Sequence, residues 1–224
     1  MKSVTLLCRG ESLKYIDNIP KSGQCVLVNA FHYELEHKPV HEYVSSCETV
    51  THILSLAAYW PASGANKIYK NYNFDKIVVP YIKEVSPPIP TAILNIEGPN
   101  GILPVEHLDD INKKDMISHP RYAFTSPTSG LDALLYCVNQ LKPDVINIIG
   151  LDFYDSSGYF TNSHGRKEDE ATREHAIRAG EPTKLMQEFF INVVKSNINM
   201  QFNLYTKSNI VKNIDNLKIK RYNE

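Results

Sequence analysis

Four short clusters in the chain combine a glycine, a hydroxyl or an amide with polar groups suited to an anion. They are Arg9-Gly10-Glu11-Ser12, Asn29, Thr128-Ser129-Gly130 and Asp152-Phe153-Tyr154. The first follows the apolar run Val4-Thr5-Leu6-Leu7-Cys8 and leads into a helical pattern starting at Ser12. A strand that empties through a glycine turn into a helix start presents backbone N–H groups and a positive dipole end, a natural place for a phosphate or carboxylate. Arg9 would add a full positive charge there. The second and third glycines of the dinucleotide fingerprint G-x-G-x-x-G are missing, so this is not a pyrophosphate-binding turn.

The elements that must position these clusters follow from periodicity. Residues 24–29 form a second apolar run ending abruptly at Asn29, the pattern of a buried parallel strand whose carboxyl end carries a ligand group. Residues 49–54, 75–81 and 91–96 predict further strands, while residues 100–121 carry no clear pattern. Leu131, Leu134, Leu135 and Val138 recur at helical spacing after Thr128 or Ser129 as a cap. The run at 144–150 is the strongest strand, and it leads into Asp152. Residues 155–180 are polar and interrupted by glycines, as in a lid. A helix is predicted from Pro182 to about Lys195, then a strand over 200–205 and a solvent-facing lysine-rich tail. Ser12, like Ser129, has capping as its plain structural reading, and Trp60 that of a core or interface anchor. Strands alternating with helices imply an α/β fold: one domain over residues 1–224, with a mostly parallel sheet covered on both faces.

Bulk properties narrow the function classes. The 24 Lys and Arg nearly cancel the 25 Asp and Glu, which argues against a broad basic face for nucleic acid. Cys8, Cys25, Cys47 and Cys137 contain no C-x-x-C pair, so neither a disulfide framework nor a zinc knuckle is suggested and a cytoplasmic location is expected. The apolar run before Arg9 is too short for a signal peptide, and no window is long enough to span a membrane. Peripheral membrane contact and a homo-oligomer both stay open.

In order, Cys8-Arg9-Gly10-Glu11-Ser12-Leu13, Asn29-Ala30-Phe31-His32-Tyr33, Thr128-Ser129-Gly130 and Gly150-Leu151-Asp152-Phe153-Tyr154 resemble the bacterial CMP-sialic-acid-dependent sialyltransferases of glycosyltransferase family 42. That family has a Gly-Asn-Gly-Pro-Ser-Leu turn, an Asn followed by aromatics, a Thr-Ser-Gly helix start and a Gly-Ile-Asp-Phe-Tyr strand end. The likeness is best over 125–160 and weak over 45–120. Arg9 and Glu11 stand where the family has Asn and Pro, Ser126 stands where it has Arg, and the lid is shorter.

The resemblance implies a Rossmann-like, GT-A-like variant fold and transfer of a CMP-activated acidic sugar to a glycan acceptor. It implies no cofactor and no metal, in keeping with the lack of an Asp-x-Asp motif. Tyr154 and Tyr159 would hydrogen-bond the leaving phosphate, and Arg9, Gly10, Ser12, Asn29, Thr128, Ser129, Gly130 and Asp152 would line the donor site. A base is needed for the acceptor hydroxyl, and histidine has the right pKa. His175, shortly before the Pro182 helix, is the first choice and His164 the second. The rival readings are a pterin diphosphokinase-like enzyme using ATP, and a CMP-sugar-binding module without catalysis.

Overall fold

The computed structural model describes residues 1–29, 31–54, 68–80, 91–108, 128–153, 182–210 and 212–222. Among these residues, eight strands pair into one sheet in which every neighbouring pair is parallel. They are β1 (Ser3–Leu7), β2 (Gln24–Val28), β3 (Thr49–Ile53), β4 (Phe74–Pro80), β7 (Val105–Leu108), β8 (Val145–Ile149), β9 (Gln201–Thr206) and β10 (Leu217–Arg221). The short strands β5 (Glu97–Gly98) and β6 (Gly101–Ile102) form a separate antiparallel pair.

The sheet order is β10-β9-β8-β1-β2-β3-β4-β7. From β1 the chain moves outward through β2, β3, β4 and β7, then returns to β8 on the other side of β1 and moves outward the opposite way. Parallel crossovers are right-handed almost without exception, so this reversal must switch the face on which connecting elements pack. The two cores follow that rule. Leu7, Cys25, Leu27, Val50, Ile77 and Val79 point to one face, under the 3-10 segments Glu11–Asn18 and Phe31–Glu36 and helix α1 (Lys38–Ser45). Val4, Leu6, Val26, Val28, Ile146 and Ile148 point to the other, under helices α2 (Ser129–Tyr136) and α3 (Pro182–Ser196). Alternation along each strand is what a period of two dictates for a sheet buried on both sides.

The α/β expectation holds, with local corrections. Residues 91–96 are not a strand: Thr91–Leu94 is a single helical turn. The edge strand is instead β7, inside the unpatterned stretch. The lysine-rich tail contains β10, with Leu217 buried and Lys218 and Lys220 exposed. Lysines on an edge strand are a common defence against sheet-to-sheet association, which is why the stretch resembles a solvated tail. Neither Ser12 nor Thr128 caps through its side chain: the 3-10 segment starts from Gly10, and α2 starts from Thr128 through its backbone.

Candidate active site

Strand order reverses between β1 and β8, and the region outside the carboxyl ends of the strands at such a switch point is where open α/β sheets bind ligands. Two loops line it, and they are zipped together. The Cys8 N–H donates to the Ile149 carbonyl at 2.8 Å, and the Gly10 N–H to the Gly150 carbonyl at 2.8 Å. The Ser12 hydroxyl, fully buried, accepts the Gly150 N–H at 2.9 Å. Gly150 has φ +75°, and a Cβ there would meet the Cys8 carbonyl oxygen at 2.1 Å, so only glycine fits. A Cβ on Gly10 would meet Asp152 Oδ2 at 2.5 Å. Both glycines therefore serve the close approach of one loop to the other.

Asp152 joins a third loop to this pair. Its Oδ2 accepts the Ser12 N–H at 2.8 Å, while Oδ1 accepts the Thr206 hydroxyl at 2.8 Å and the Lys207 N–H at 3.0 Å. The buried carboxylate thus already takes three hydrogen bonds from the protein. Its role in this state is to hold the ends of β1, β8 and β9 in register. Beyond Thr206, the Ser208 N–H returns to the Thr206 hydroxyl at 3.0 Å, and Gln187 of α3 donates to the Ser208 hydroxyl at 3.1 Å.

Two ion pairs leave the β1 loop in opposite directions. Toward β2, Arg9 Nε lies 2.9 Å from Glu34 Oε1, with Glu34 fully buried, and the guanidinium sits 5.9 Å from the Tyr33 ring. Toward β9, Glu11 Oε2 lies 2.7 Å from Lys207 Nζ, with side-chain exposures of 23% and 16%. Arg9, expected to meet an anionic ligand, is held by a carboxylate of its own protein.

Asn29 ends β2 in the left-handed region, with φ +52°. Its N–H donates to the Ile53 carbonyl at 2.8 Å, and its carbonyl accepts the Phe31 N–H at 2.8 Å and His52 Nε2–H at 2.5 Å. Because that carbonyl can only accept, Nε2 carries the proton and Nδ1 accepts the Tyr69 hydroxyl at 2.7 Å. Burial pushes the His52 pKa down to about 4, so the ring is neutral when folded. Phe153, with φ +53°, lies just beyond the end of β8 and packs edge-on against Phe190 of α3, ring centres 5.5 Å apart. Left-handed backbone at non-glycine residues costs energy; among the described residues it occurs at Asn29 and Phe153, which follow the strands flanking β1, and at Lys142, which caps the helical segment before β8.

The start of α2 comes to the same edge. A Cβ on Gly130 would meet Cys8 Sγ and Leu151 Cδ1, both at 3.1 Å, and the Thr128 carbonyl accepts the Leu131 and Asp132 N–H groups. Thr128 and Ser129 are half-buried. The Cys8 thiol is pushed far up by burial, with Cys137 and Asp152 adding to the effect, which disfavours the reactive thiolate. Arg9, Gly10, Ser12, Asn29, Thr128, Ser129, Gly130 and Asp152 thus lie along one sheet edge. Tyr154, Tyr159, His175 and His164 lie outside the described residues.

The chain is similar to a solved sialyltransferase. That structure is the sialyltransferase CstII from Campylobacter jejuni in complex with a substrate analogue, CMP-3FNeuAc. The two are 14% identical, with 92% of this chain and 81% of that chain covered and a TM-score of 0.49. No family model matches the chain, and neither does any curated protein.

Local sequence pattern does not single out Thr206, Lys207, Glu34 or His52 as site residues. The first two carry a signal all the same: Thr206-Lys207-Ser208 follows an apolar run as Asn29 and Asp152 do. Glu34 and His52 give none, because their partners are distant in sequence. Among the described residues, no three His, Cys, Asp or Glu side chains gather as a metal site would require, and no helix is long and apolar enough to cross a membrane.

Proposed function

We propose that the chain is a sialyltransferase-like glycosyltransferase, metal-independent and inverting, that moves sialic acid or a related acidic sugar from a CMP donor to a glycan hydroxyl. The reading treats residues 1–224 as one domain, with a lid over about 155–180. The observation that carries it is the meeting of motifs far apart in the chain: Ser12 and Asp152, 140 positions apart, share a hydrogen bond, and Gly130 sits against Cys8 and Leu151. The ordered motifs of the sequence resemblance thus share the strand ends where a nucleotide sugar would bind.

In the proposed reaction, the acceptor oxygen attacks the anomeric carbon as the bond from that carbon to the CMP phosphate oxygen breaks, which inverts the centre. His175 takes the hydroxyl proton, with His164 as the alternative. The Tyr154 and Tyr159 hydroxyls hydrogen-bond the departing phosphate, which a monophosphate leaving group allows without a cation. The N–H groups and dipole at the start of α2 favour the donor's negative charge.

The experiment is incubation with CMP-sialic acid, with and without an oligosaccharide acceptor, in EDTA. CMP release at an EDTA-independent rate is expected. His175→Ala should lower it by a factor of about 100 or more while CMP still raises the melting temperature. Stabilisation by ATP with magnesium but not by CMP would instead favour the diphosphokinase-like reading. CMP binding without donor turnover would leave a binding module.

A further inference from the structure

We infer that His52 is a positioning residue of the proposed donor site: its ring holds the Asn29 backbone in place, and with it the side-chain amide that meets the bound CMP. The inference rests on the nucleotide-sugar reading above and adds a residue that none of the four motifs contains.

The end of β2 shows what has to be held. The ladder between β2 and β3 sets Leu27 opposite His52 and Val28 opposite Ile53, and the Asn29 N–H extends it by donating to the Ile53 carbonyl. There the chain turns away at φ +52°. A glycine would make that turn without strain. Asparagine is among the few other residues that tolerate it, and it adds an amide at the end of a strand beside β1, at the edge where open α/β sheets take ligands. The Asn29 carbonyl accepts both the Phe31 N–H and His52 Nε2–H. A carbonyl oxygen has two lone pairs, so the backbone polar groups of Asn29 are committed and its contribution to a ligand falls to the side chain.

His52 is suited to hold that carbonyl. It is 1% exposed, its neighbours Val50 and Leu54 belong to the apolar layer under α1, and the Tyr69 and Phe74 ring centres lie 5.6 and 6.1 Å from its own. Packing alone would be met by an apolar side chain. Imidazole brings two nitrogens, and both are used. The Tyr69 hydroxyl donates to Nδ1 at 2.7 Å, which leaves the proton on Nε2 to be given to the Asn29 carbonyl at 2.5 Å. Tyr69 thus sets the tautomer, His52 sets the carbonyl and Asn29 presents the amide. Such a supporting shell behind a ligand contact is what fixes binding geometry.

Two substitutions separate the two nitrogens. His52→Gln places an amide nitrogen near Nε2 and can still donate to Asn29, whereas His52→Asn places its amide near Nδ1 and falls short of Asn29. Both bury one neutral amide, so a purely structural role predicts the same effect from both. The test is isothermal titration of CMP into the wild-type chain, both variants, Asn29→Gly and the double variant His52→Asn with Asn29→Gly, with the melting temperature of each recorded. His52→Asn should weaken CMP about tenfold, while His52→Gln stays within about twofold of wild type. Asn29→Gly, which keeps the turn and removes the amide, should also weaken CMP about tenfold, and adding His52→Asn to it should cost nothing further. Equal affinities in the two His52 variants, an unchanged affinity in Asn29→Gly, or losses that multiply in the double variant overturn the inference and leave the proposed function standing. If neither His52 variant folds, Tyr69→Phe decides, because it removes only the hydroxyl that Nδ1 accepts. It should weaken CMP about threefold, and an unchanged affinity there overturns the inference. A wild-type chain that does not bind CMP overturns both.

Discussion

At the scale of the residue, the site is built by groups that face the protein. Asp152 looks from the sequence like a ligand contact, yet its oxygens tie together the loops of β1, β8 and β9. His52 does the same for Asn29, donating to the carbonyl of a residue held at φ +52°. The burial that makes His52 useful also makes it sensitive to acid. A histidine whose folded pKa is about 4, against the ordinary 6.5, binds its proton in the unfolded chain first. Its stabilising contribution is therefore fully present above about pH 6.5, declines as pH falls toward 4 and is gone below that, an amplitude of about 3 kcal/mol. Urea unfolding between pH 4.5 and 7.5 should show this slope, and His52→Gln, which can still donate to Asn29, should flatten it. An identical pH profile in the variant would show that other groups carry the acid sensitivity.

At the scale of the element, apolar runs predict β1, β2, β3, β4, β8 and β9 because a strand buried on both faces has to be apolar along its length. The same rule fails at the edges. Val105-Glu106-His107-Leu108 and Leu217-Lys218-Ile219-Lys220-Arg221 are edge strands, so neither needs a continuous apolar run. Thr91-Ala92-Ile93-Leu94 illustrates the opposite error, since a short apolar run fits a helical turn as well as a strand. What secures β10 is equally invisible in local pattern. Asn216, just before it, directs its amide nitrogen to the carbonyls of Val194, Asn197 and Met200, at 3.0, 2.9 and 3.1 Å. These lie at and beyond the end of α3, where helix carbonyls lack partners within the helix. Asn216→Ala should cost about 1–2 kcal/mol in chemical denaturation and increase amide exchange in β10, with the exchange of β1 little changed. Equal loss of protection in both strands would mean that Asn216 supports the whole sheet rather than its edge.

At the scale of the molecule, the sequence directs attention to the carboxyl ends of the strands, but the strand order that makes two of them a switch point is not legible in it. Nothing in the hydrophobic pattern says that β8 returns to lie beside β1, because burial on both faces looks the same whichever strands are neighbours. Ile146, Ile148 and Ile149 would read alike at any central position. That return creates the switch point, and the sheet lies sandwiched between two apolar layers. The cysteines report on both layers: Cys8 and Cys137 lie in the layer under α2 and α3, and Cys25 and Cys47 in the layer under α1 and the 3-10 segments. All four are buried free thiols, and burial pushes Cys8, Cys25 and Cys137 upward, away from the reactive thiolate. Each strand of the central sheet donates side chains to both layers, so neither layer can open without stripping the strands that hold the other. Thiol labelling pulsed at increasing urea, read by peptide mass spectrometry, should give all four cysteines one common midpoint that coincides with the loss of helical circular dichroism. Earlier labelling of Cys25 and Cys47 than of Cys8 and Cys137 would mean that the α1 layer peels away from an intact sheet, and the reading of residues 1–224 as one cooperative domain would have to be abandoned.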